Sequence, residues 1–293
     1  MSLADLHADS LLWDRDLLRR RSRGHVDAVR LRDGGYRVQV FSAVTKVPKG
    51  LNYARNSASS DMLTPLLIAQ RWPISTWTSV RARALHQALR LQRFERRSKG
   101  AVAVVRSRES LDAALANGAL AVVLATEGAH PLEGKIENLA VLKAAGYRII
   151  GLHHFFDNEL GGSLHGESRA GLTNFGRAVV RDAEARSLII DIAHSSERSA
   201  KDVLAIATRP VVVSHTGLRG ACDSPRNISD DLMRAVAVKG GLIGVGFWDG
   251  AVCKPTPQSI AESIVYAVAL VGADHVALGS DFDGATTTPF DAS

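Results

Sequence analysis

The sequence of 293 residues predicts an α/β fold and, within that class, a (β/α)₈ barrel of the TIM type. Two observations predict it. Short apolar runs alternate with amphipathic stretches along the chain, as strands alternate with helices in such a barrel. The apolar runs are hydrophobic on both faces, which is typical of parallel strands that helices cover on one side and a core fills on the other. No internal repeat, low-complexity tract or Pro/Gly-rich linker divides the chain, so we predict one domain over residues 1–293.

Nine apolar runs are candidate strands, one more than a closed barrel of this type needs. They are Leu3–Asp9, Val38–Val44, Ala101–Val105, Leu120–Thr126, Arg148–His153, Leu188–Ala193, Pro210–Ser214, Leu242–Phe247 and His275–Ser280. Because Ala101–Val105 follows a long insertion over residues 52–100, we expect this strand to lie outside the barrel. Helical patterns lie between the strands, for example at Ser107–Ala116, Asn138–Ala145, Asn174–Ala185, Glu197–Ala207, Asp230–Val238 and Pro257–Val271.

A doubly wound open sheet is the competing architecture. It would normally place a Gly-rich, phosphate-binding turn after the first strand. Here the first strand ends in His7-Ala8-Asp9, and side chains two positions apart on a strand point to the same face. This pattern is typical of a metal site and favours the barrel. A closing eighth helix would need roughly 10 further residues after the last strand. The chain ends at Ser293, so we expect this helix to be absent.

Composition narrows the function classes. Hydrophobic residues make up 46% and charged residues 23% of the chain, which is ordinary for a soluble globular protein. No apolar run approaches the ~18 residues that a membrane-spanning helix needs. The net charge is +6, and its basic residues cluster in 15–32 and 81–99. The second segment has the pattern of one face of a long exposed helix, without the aromatic interleaving or glycine loops of nucleic-acid modules, so we expect a solvated surface and no nucleic-acid partner. The oligomeric state stays open between a monomer and a homodimer.

The cysteines and the N-terminus bear on metal chemistry and location. Two cysteines, Cys222 and Cys253, exclude a disulfide framework and a cysteine-based zinc cluster. Any metal must therefore be held by histidines and carboxylates. Asp5, His7 and Asp9 fall where a signal peptide would have its apolar stretch. We therefore expect a cytoplasmic protein, or an exported one if a native N-terminal signal has been removed.

Histidines and carboxylates mark the ends of six predicted strands. In chain order they are His7 and Asp9; Glu127; His153 and His154; Asp191 and His194; His215; and Asp281. Each is a weak signal alone, because a histidine after a strand is usually hydrogen-bonded in the core and an aspartate often caps the next helix. In a barrel, however, all six ends converge at one rim. Core packing gives no reason to gather ionisable groups there, since unpaired charges are costly to bury.

Histidine and carboxylate ligands together suit zinc or a similar divalent ion. Four residues saturate one metal, whereas six, with one bridging carboxylate, suit two metals roughly 3.5–4 Å apart. Such a pair shares a bridging water, lowers the pKa of that water and polarises a carbonyl or phosphoryl group. The pattern therefore predicts a metal-dependent hydrolase.

A series of motifs runs in order from residue 5 to residue 284. They are Asp5-Leu6-His7-Ala8-Asp9, Thr126-Glu127-Gly128, Gly171-Leu172-Thr173-Asn174-Phe175-Gly176, Ile190-Asp191-Ile192-Ala193-His194-Ser195, Val213-Ser214-His215, Arg226-Asn227-Ile228-Ser229-Asp230-Asp231 and Gly279-Ser280-Asp281-Phe282-Asp283-Gly284. As a set they are highly specific. With them the chain resembles the membrane (renal) dipeptidases and their bacterial relatives, a branch of the amidohydrolase-like metal-dependent hydrolases.

The resemblance implies a zinc dipeptidase that hydrolyses the peptide bond of dipeptides through a water bridging two Zn²⁺ ions. It implies one zinc on His7, Asp9 and Asp281, a second on His194 and His215, and Glu127 as the carboxylate that bridges them. Asp281 would also accept the proton of the nucleophilic water. His154 would bind the substrate and stabilise the oxyanion, and Arg226 would bind the terminal carboxylate of the substrate. His153 stands where the family usually carries a small polar residue, which bears on substrate preference.

Other interpretations remain open on the residues alone. Only one of His153 and His154 can face the barrel mouth if the strand continues through them, and we favour His154. Asp191 lies on the opposite strand face from His194, so we expect a structural acid there. His25, His86, His130, His165 and His275 have no such placement and are assigned to structure or surface. The alternative function is a related barrel hydrolase acting on an N-acyl amino acid, a lactone or a phosphoester. A non-catalytic binding scaffold is disfavoured because every ligand position is filled.

Overall fold

A computed structural model describes residues 2–285 and 287–293 of the chain. Over these residues nine parallel strands form one sheet. They are β1 (Leu3–Ala8), β2 (Tyr36–Val44), β3 (Val102–Val104), β4 (Leu120–Glu127), β5 (Tyr147–Gly151), β6 (Ile189–Asp191), β7 (Val212–Thr216), β8 (Leu242–Val245) and β9 (Val276–Leu278).

Eight of these strands close into a barrel. The strand order is β2-β1-β9-β8-β7-β6-β5-β4, and the pairing of β2 with β4 closes the ring, from Val38↔Ala121 to Val44↔Glu127. Because β2 occupies one edge of β4, the other edge is left for β3, which pairs with residues 120–122, and for β5, which pairs with residues 124–126. The prediction of a TIM-type barrel with one outlying strand is therefore confirmed.

Helices cover the outside of the barrel. They are α1 (Ala28–Asp33), α2 (Leu63–Ala69), α3 (Ser75–Thr78), α4 (Val80–Arg97), α5 (Arg108–Ala116), α6 (Asn138–Ala145), α7 (Asn174–Ala185), α8 (Glu197–Ile206), α9 (Asp230–Val238), α10 (Asp249–Val252) and α11 (Pro257–Val271). Several begin at a hydroxyl that caps free backbone N–H groups: Thr173 accepts from Gly176, and Ser229 from Leu232. No helix of the described chain combines the length and hydropathy needed to cross a membrane. Within the same residues, no helix follows β9.

The core has two layers. Val40, Ala125, Ile149 and Val212 pack together and fill the barrel interior from four different strands. A larger cluster, which includes Ile190 and residues of the covering helices, lies between the strands and the helices. Strands buried on both faces are what the apolar runs predicted.

The insertion after β2 is docked over the barrel by a buried arginine. Arg83 of α4 is 2% exposed and donates from Nη1 to the Thr45 carbonyl (2.8 Å) and to the Asp61 carboxylate (2.6 Å). Its Nε donates to the Thr76 carbonyl at 2.7 Å. Three separate parts of the insertion are thereby tied to one side chain, which holds the segment after β2 over the carboxyl ends of the strands.

The two cysteines form a single bridge, on which the sequence analysis made no prediction. Cys222, in the loop after β7, and Cys253, directly after α10, form a disulfide across a sequence separation of 31 residues. Asn227 braces the same junction, because its Nδ2 donates to the carbonyls of Cys222 (2.7 Å) and Ala251 (2.9 Å). The count of cysteines could not show this, since the pairing of β7 with β8 in the sheet brings the loops after these two strands together.

Candidate metal centre and substrate pocket

Six side chains converge at the carboxyl end of the barrel. Glu127 is the last residue of β4, His215 lies on β7, His7 lies on β1, and Asp9 follows that strand. His194 and Asp281 come three residues after β6 and β9. All are buried except Asp281, whose side chain is 15% exposed.

Glu127 is at the centre of the cluster. Its Oε1 lies 3.2 Å from His194 Nε2, 3.5 Å from His215 Nε2 and 3.8 Å from His7 Nε2. Ligand atoms that share one tetrahedral zinc at ~2.0–2.2 Å stand roughly 3.3–3.6 Å apart. The observed spacing therefore suits a cation between these atoms.

The ligand atoms form overlapping groups rather than one. Glu127, His194 and His215 offer atoms within 4.8 Å of one another, and so do His7, Asp9 and Glu127. Glu127 belongs to both groups, as a bridging carboxylate must. A third group of the same size joins His7 and His215 to Asp281. Asp281 therefore stands beside the His7 group, with its Oδ1 3.9 Å from His7 Nε2.

Buried atoms without hydrogen bonds point to the same cation. Among the described residues, His7 Nε2, Asp9 Oδ1 and Glu127 Oε2 are buried and make no hydrogen bond. A buried polar atom without a partner costs ~1–3 kcal/mol, and more when it is charged. A cluster of three such atoms is explained if they coordinate a metal. These side chains therefore fit the divalent metal ions that the sequence pattern predicted.

The electrostatics of the cluster also favour a cation. Burial raises the pKa of Asp9 to about 8 and that of Asp281 to about 7, and it raises the pKa of Glu127 well above its usual range. Burial lowers the pKa of His194 and His215. Neutral imidazoles can act as ligands through a lone pair, and the three carboxylates need positive charge nearby to remain ionised together.

Groups behind the cluster orient the ligands. The Ser214 hydroxyl lies 2.9 Å from His215 Nδ1 and 3.3 Å from His7 Nδ1, which leaves the Nε2 atoms to face the site. Asp191 accepts from the backbone N–H of Ala193 (2.9 Å) and of Ser214 (3.0 Å). Its geometry is that of the structural acid expected from the sequence.

Two ligand positions adopt a backbone conformation that the sequence did not reveal. His194 has φ 61° and Asp281 has φ 58°, both in the left-handed region. This conformation costs a non-glycine residue on the order of 1–3 kcal/mol, and such strain is concentrated at functional sites. The predicted strands Leu188–Ala193 and His275–Ser280 are shorter in the structure because the chain turns sharply to aim these two side chains inward.

His154 lies at the edge of the cluster and His153 does not. The strand ends at Gly151, so both histidines are in the loop after β5. His154 Nε2 is 3.4 Å from Glu127 Oε1, and its Nδ1 donates to the Lys46 carbonyl at 3.2 Å. His153 points elsewhere, with its Nδ1 2.9 Å from the Ser195 hydroxyl.

Arg226 reaches the site from the loop after β7. Its guanidinium is 1% exposed, and Nη2 donates to the His215 carbonyl at 2.8 Å. Its Cζ lies 5.3 Å from the centre of the Trp248 ring. Nη1 has no hydrogen-bond partner among the described residues. A buried guanidinium with a free N–H donor is suited to bind an anionic group of a ligand.

A cavity of about 560 Å³ opens above the cluster. Its walls include Glu127, His154, Arg226, Trp248 and Tyr53. This volume is within the range of small-molecule sites, ~300–1,000 Å³. Tyr53 and Trp248 were missed by the sequence reading because they lie in connecting segments and carry no motif.

Two of the remaining histidines are buried, and one of these is close to the site. His165 donates from Nδ1 to the Tyr53 carbonyl at 2.8 Å, and its ring centre is 5.9 Å from that of His194. His130 is buried against Phe156, with ring centres 4.6 Å apart. The assignment of these two to structure agrees with their contacts.

The fold and the site together define the class of barrel to which this chain belongs, that of the TIM-type metal-dependent hydrolases. Residues 1–292 match the sequence profile of the membrane dipeptidase family, peptidase family M19. The chain belongs to that family.

Two curated relatives and one solved structure illustrate the likeness. A Klebsiella pneumoniae protein described by its place in the pqqA 5′ region is 36% identical over 180 residues, which cover 57% of this chain and 66% of that protein. An uncharacterized dipeptidase of Schizosaccharomyces pombe, C965.12, is 28% identical over 274 residues, 90% of this chain and 62% of that protein. The chain thus spans slightly less than two thirds of the length of either relative.

The structural likeness covers the whole chain. A metallo peptidase from Rhodobacter sphaeroides, solved with a phosphinate mimic of the dipeptide L-Ala-D-Ala, superposes with a TM-score of 0.83. The superposition covers 100% of this chain and 89% of that one, at 22% identity. The fold is the same.

Proposed function

We propose that this chain is a metal-dependent dipeptidase that hydrolyses the peptide bond of short peptides with a free C-terminal carboxylate. The observation that carries the proposal is the pairing of two features at one cavity. Five candidate ligand side chains surround Glu127. Beside them the buried Arg226, whose Nη2 lies 3.4 Å from His194 Nε2, offers a free N–H donor at Nη1. The family and the dipeptide mimic bound by the Rhodobacter protein support the same substrate class.

Two divalent ions, zinc being the best match to these donors, would be held by the six side chains. His7, Asp9 and Asp281 would hold one, His194 and His215 the other, and Glu127 would contact both. When bound, such ions polarise a carbonyl group and lower the pKa of water.

Asp281 would take a proton during the reaction. Its side chain is the most exposed of the six and lines the cavity. A carboxylate that reaches the cavity can contact a water molecule there, as a general base needs to do. It would take the proton of the attacking water and pass it on to the leaving amine.

His154 would bind the substrate next to the scissile bond. Its Nδ1 is engaged by the Lys46 carbonyl, so Nε2 is the position that faces the cavity. Burial lowers the pKa of His154 to about 3, and the neutral ring therefore presents a lone pair at Nε2. To donate to an oxyanion, Nε2 would take up a proton from water in the cavity that it lines, and the developing negative charge would favour this.

Arg226 would select the substrate class. Its free Nη1 and the rigid fork of the guanidinium suit a carboxylate, which esters, lactones and amides lack. A dipeptide and an N-acyl amino acid both carry that carboxylate, so the chemistry at Arg226 alone does not separate them. The free amine, which only the dipeptide carries, distinguishes these two substrates.

A matched substrate panel tests the proposal. The metal-loaded protein would be assayed with a dipeptide, its C-terminal amide, its N-acetyl form and a lactone. We expect kcat/KM to be highest for the free dipeptide and lower by at least tenfold for the amide. A preference for the N-acetyl form or the lactone would contradict the dipeptidase assignment and move it to the alternative hydrolases.

The disulfide bears on location. Disulfides persist in oxidising compartments and are rare in the cytosol. The Cys222–Cys253 bond therefore favours an exported protein over the cytoplasmic one expected from the N-terminal residues. Titration of free thiols in protein isolated from its native host would test this: no free thiol is expected, and two would restore the cytoplasmic assignment.

A further inference from the structure

A second cavity lies beside the one that contains the candidate metal ligands. It has a volume of about 800 Å³ and is built from the loop between β1 and α1, from α2 and from the loop after β9. Among its described lining residues are neither Arg226 nor any of the six proposed metal ligands. The two cavities share a wall of four residues, Trp13, Leu66, Asp283 and Ala285. The second cavity is therefore adjacent to the proposed active site and separate from it.

Two arginines of this second cavity have no partner among the described side chains. The basic segment 15–32 contains seven arginines, and five of them lie within ion-pair distance of a carboxylate: Arg15, Arg19, Arg20, Arg30 and Arg32. Over the described residues, the side chains of Arg21 and Arg23 make no ion pair and no hydrogen bond, and both line the cavity. The two guanidinium groups that this segment leaves free are therefore the two that border a space large enough for a ligand.

The backbone that carries these two arginines is fixed by other arginine side chains. Arg30 Nη2 donates to the Arg21 carbonyl at 2.7 Å, and Arg15 Nη1 donates to the Arg23 carbonyl at 3.1 Å. Arg30 is buried, and the side chain of Arg15 is only 12% exposed. The segment is thus held in place before any ligand enters, which limits the entropy lost on binding.

The buried acid of the cavity wall, Asp283, is already satisfied by the protein. Its carboxylate accepts from the Ser10 hydroxyl and from the His25 N–H, and it forms an ion pair with Arg15. Burial lowers the pKa of His25, so this ring adds no charge at neutral pH. The other acid of the cavity is the exposed Asp14. Two free guanidinium groups therefore face one exposed carboxylate, and the cavity keeps an excess of positive charge.

The shared wall gives the second cavity an apolar side. Trp13 Nε1 donates to the Asp283 carbonyl at 2.8 Å, which fixes the indole, and the residue remains 40% exposed. Leu66 and Ala285 line the same wall. An exposed aromatic ring beside unpaired guanidinium groups suits a ligand that joins an apolar body to an anionic group.

We propose that the second cavity binds a small organic oxyanion, a carboxylate or a phosphate ester, through Arg21 and Arg23. The planar fork of a guanidinium binds either group with two parallel hydrogen bonds, and Trp13 would contact the apolar part of the ligand. The volume of the cavity is within the range of small-molecule sites, ~300–1,000 Å³. The proposal does not depend on the reaction at the metal ions, because none of the proposed metal ligands lines this cavity over the described residues.

Calorimetry on the metal-loaded protein tests the site. The active-site cavity is first saturated with a phosphinate dipeptide mimic, because carboxylates and phosphates also bind metal ions. Phenyl phosphate, benzoate and inorganic phosphate are then titrated separately. We expect one phenyl phosphate or benzoate to bind per chain, and inorganic phosphate to bind about tenfold more weakly because it has no apolar part to contact Trp13. Binding of either organic anion supports the site, and their relative affinities identify the preferred anionic group.

A pair of double variants separates the cavity from the basic surface around it. Arg21→Ala combined with Arg23→Ala should weaken the binding of both organic anions at least tenfold. Arg19→Ala combined with Arg32→Ala is the matched control, since it removes the same charge from exposed arginines of the same segment that do not line this cavity. We expect it to change the affinities by less than about twofold. Circular dichroism and metal content should be unchanged in both double variants. The comparison also holds without the mimic, because an anion bound at the metal ions would be indifferent to both.

Three results would overturn the proposal. If neither organic anion binds once the active-site cavity is saturated, the second cavity is not a ligand site. If both double variants weaken binding equally, the anions are attracted by the charge of the whole segment and not by Arg21 and Arg23. If inorganic phosphate binds as tightly as phenyl phosphate, the apolar wall takes no part in binding. None of these results bears on the dipeptidase assignment, which the substrate panel tests separately.

Discussion

Glu127 is surrounded by four imidazoles, more than any other acid of the site. Its Oε1 lies within 3.8 Å of a ring nitrogen of His7, His154, His194 and His215. Burial raises the pKa of Glu127 well above its usual range, so its charge must be offset by cations if it is to be retained. This carboxylate is therefore the side chain that the two metal sites would share.

Glu127→Gln tests the bridging role. The amide keeps the shape of the side chain and removes its charge, so both ions should bind more weakly. We expect kcat/KM to fall roughly 100-fold or more while the circular dichroism spectrum stays close to wild type. Glu109→Gln, on the surface of α5, is the matched control and should change neither. Near wild-type activity in Glu127→Gln would mean that this carboxylate does not bridge.

Arg226→Ala tests recognition of the carboxylate. Truncating one side of a buried charged pair costs ~2–5 kcal/mol, so kcat/KM for free dipeptides should fall by roughly one to three orders of magnitude. The amidated dipeptide has no carboxylate to bind, so its kcat/KM should be nearly the same in the variant and in the wild type. Arg219→Ala, an exposed arginine of the same loop, provides the control. An equal loss on both substrates would indicate that Arg226 only supports the His215 carbonyl.

At the scale of elements, the loops after β7 and β8 act as one unit. The disulfide joins them, and the Asn227 amide bonds to both sides of the junction. Arg226 belongs to the first loop and Trp248 to the second, so the cation–π contact between them depends on this junction. We therefore expect this covalent link to help hold the guanidinium in position.

Replacing both cysteines by serine tests that link. Loss of a disulfide that closes a loop of this length costs ~2–4 kcal/mol of unfolding free energy. We expect a lower denaturant midpoint and a higher KM for free dipeptides, with unchanged metal content. Reductant should produce the same shift in the wild type and none in the double variant. If neither the double substitution nor the reductant lowers the denaturant midpoint, the bond does not stabilise the native state.

At the scale of the whole molecule, the proposed metal ligands connect distant parts of the chain. They come from β1, β4, β7 and the loops after β6 and β9, which lie on opposite sides of the barrel. Metal that binds only the folded chain adds its binding free energy to stability. The ions should therefore stabilise the barrel as a unit, beyond their part in the chemistry.

Metal removal tests this coupling. Protein purified without chelator should contain close to two divalent ions per chain by elemental analysis. Chelation should abolish hydrolysis and lower Tm by several degrees, since each kcal/mol shifts a chain of this size by ~2–4 °C. Added zinc should restore both. A ratio that stays at one ion per active chain would contradict the dinuclear site.

Much of the fold was predictable because local patterns determine it. The helices at 138–145, 174–185, 230–238 and 257–271 have the bounds that the sequence predicted. Their ends are set by residues near them in the chain, such as Thr173 and Ser229 at helix starts. The outlying strand was predictable too, since the insertion before it separates it from its neighbours in sequence.

The alternation of strands and helices follows from the sequence alone, and so does the set of strand ends that carry histidines and carboxylates. Both are properties of neighbouring residues, through side-chain periodicity and capping. The left-handed turns at His194 and Asp281, the disulfide, and the contact of Tyr53 with Trp248 were visible only in the folded chain. The disulfide and the Tyr53–Trp248 contact join residues far apart in sequence, which the folding of the sheet brings together.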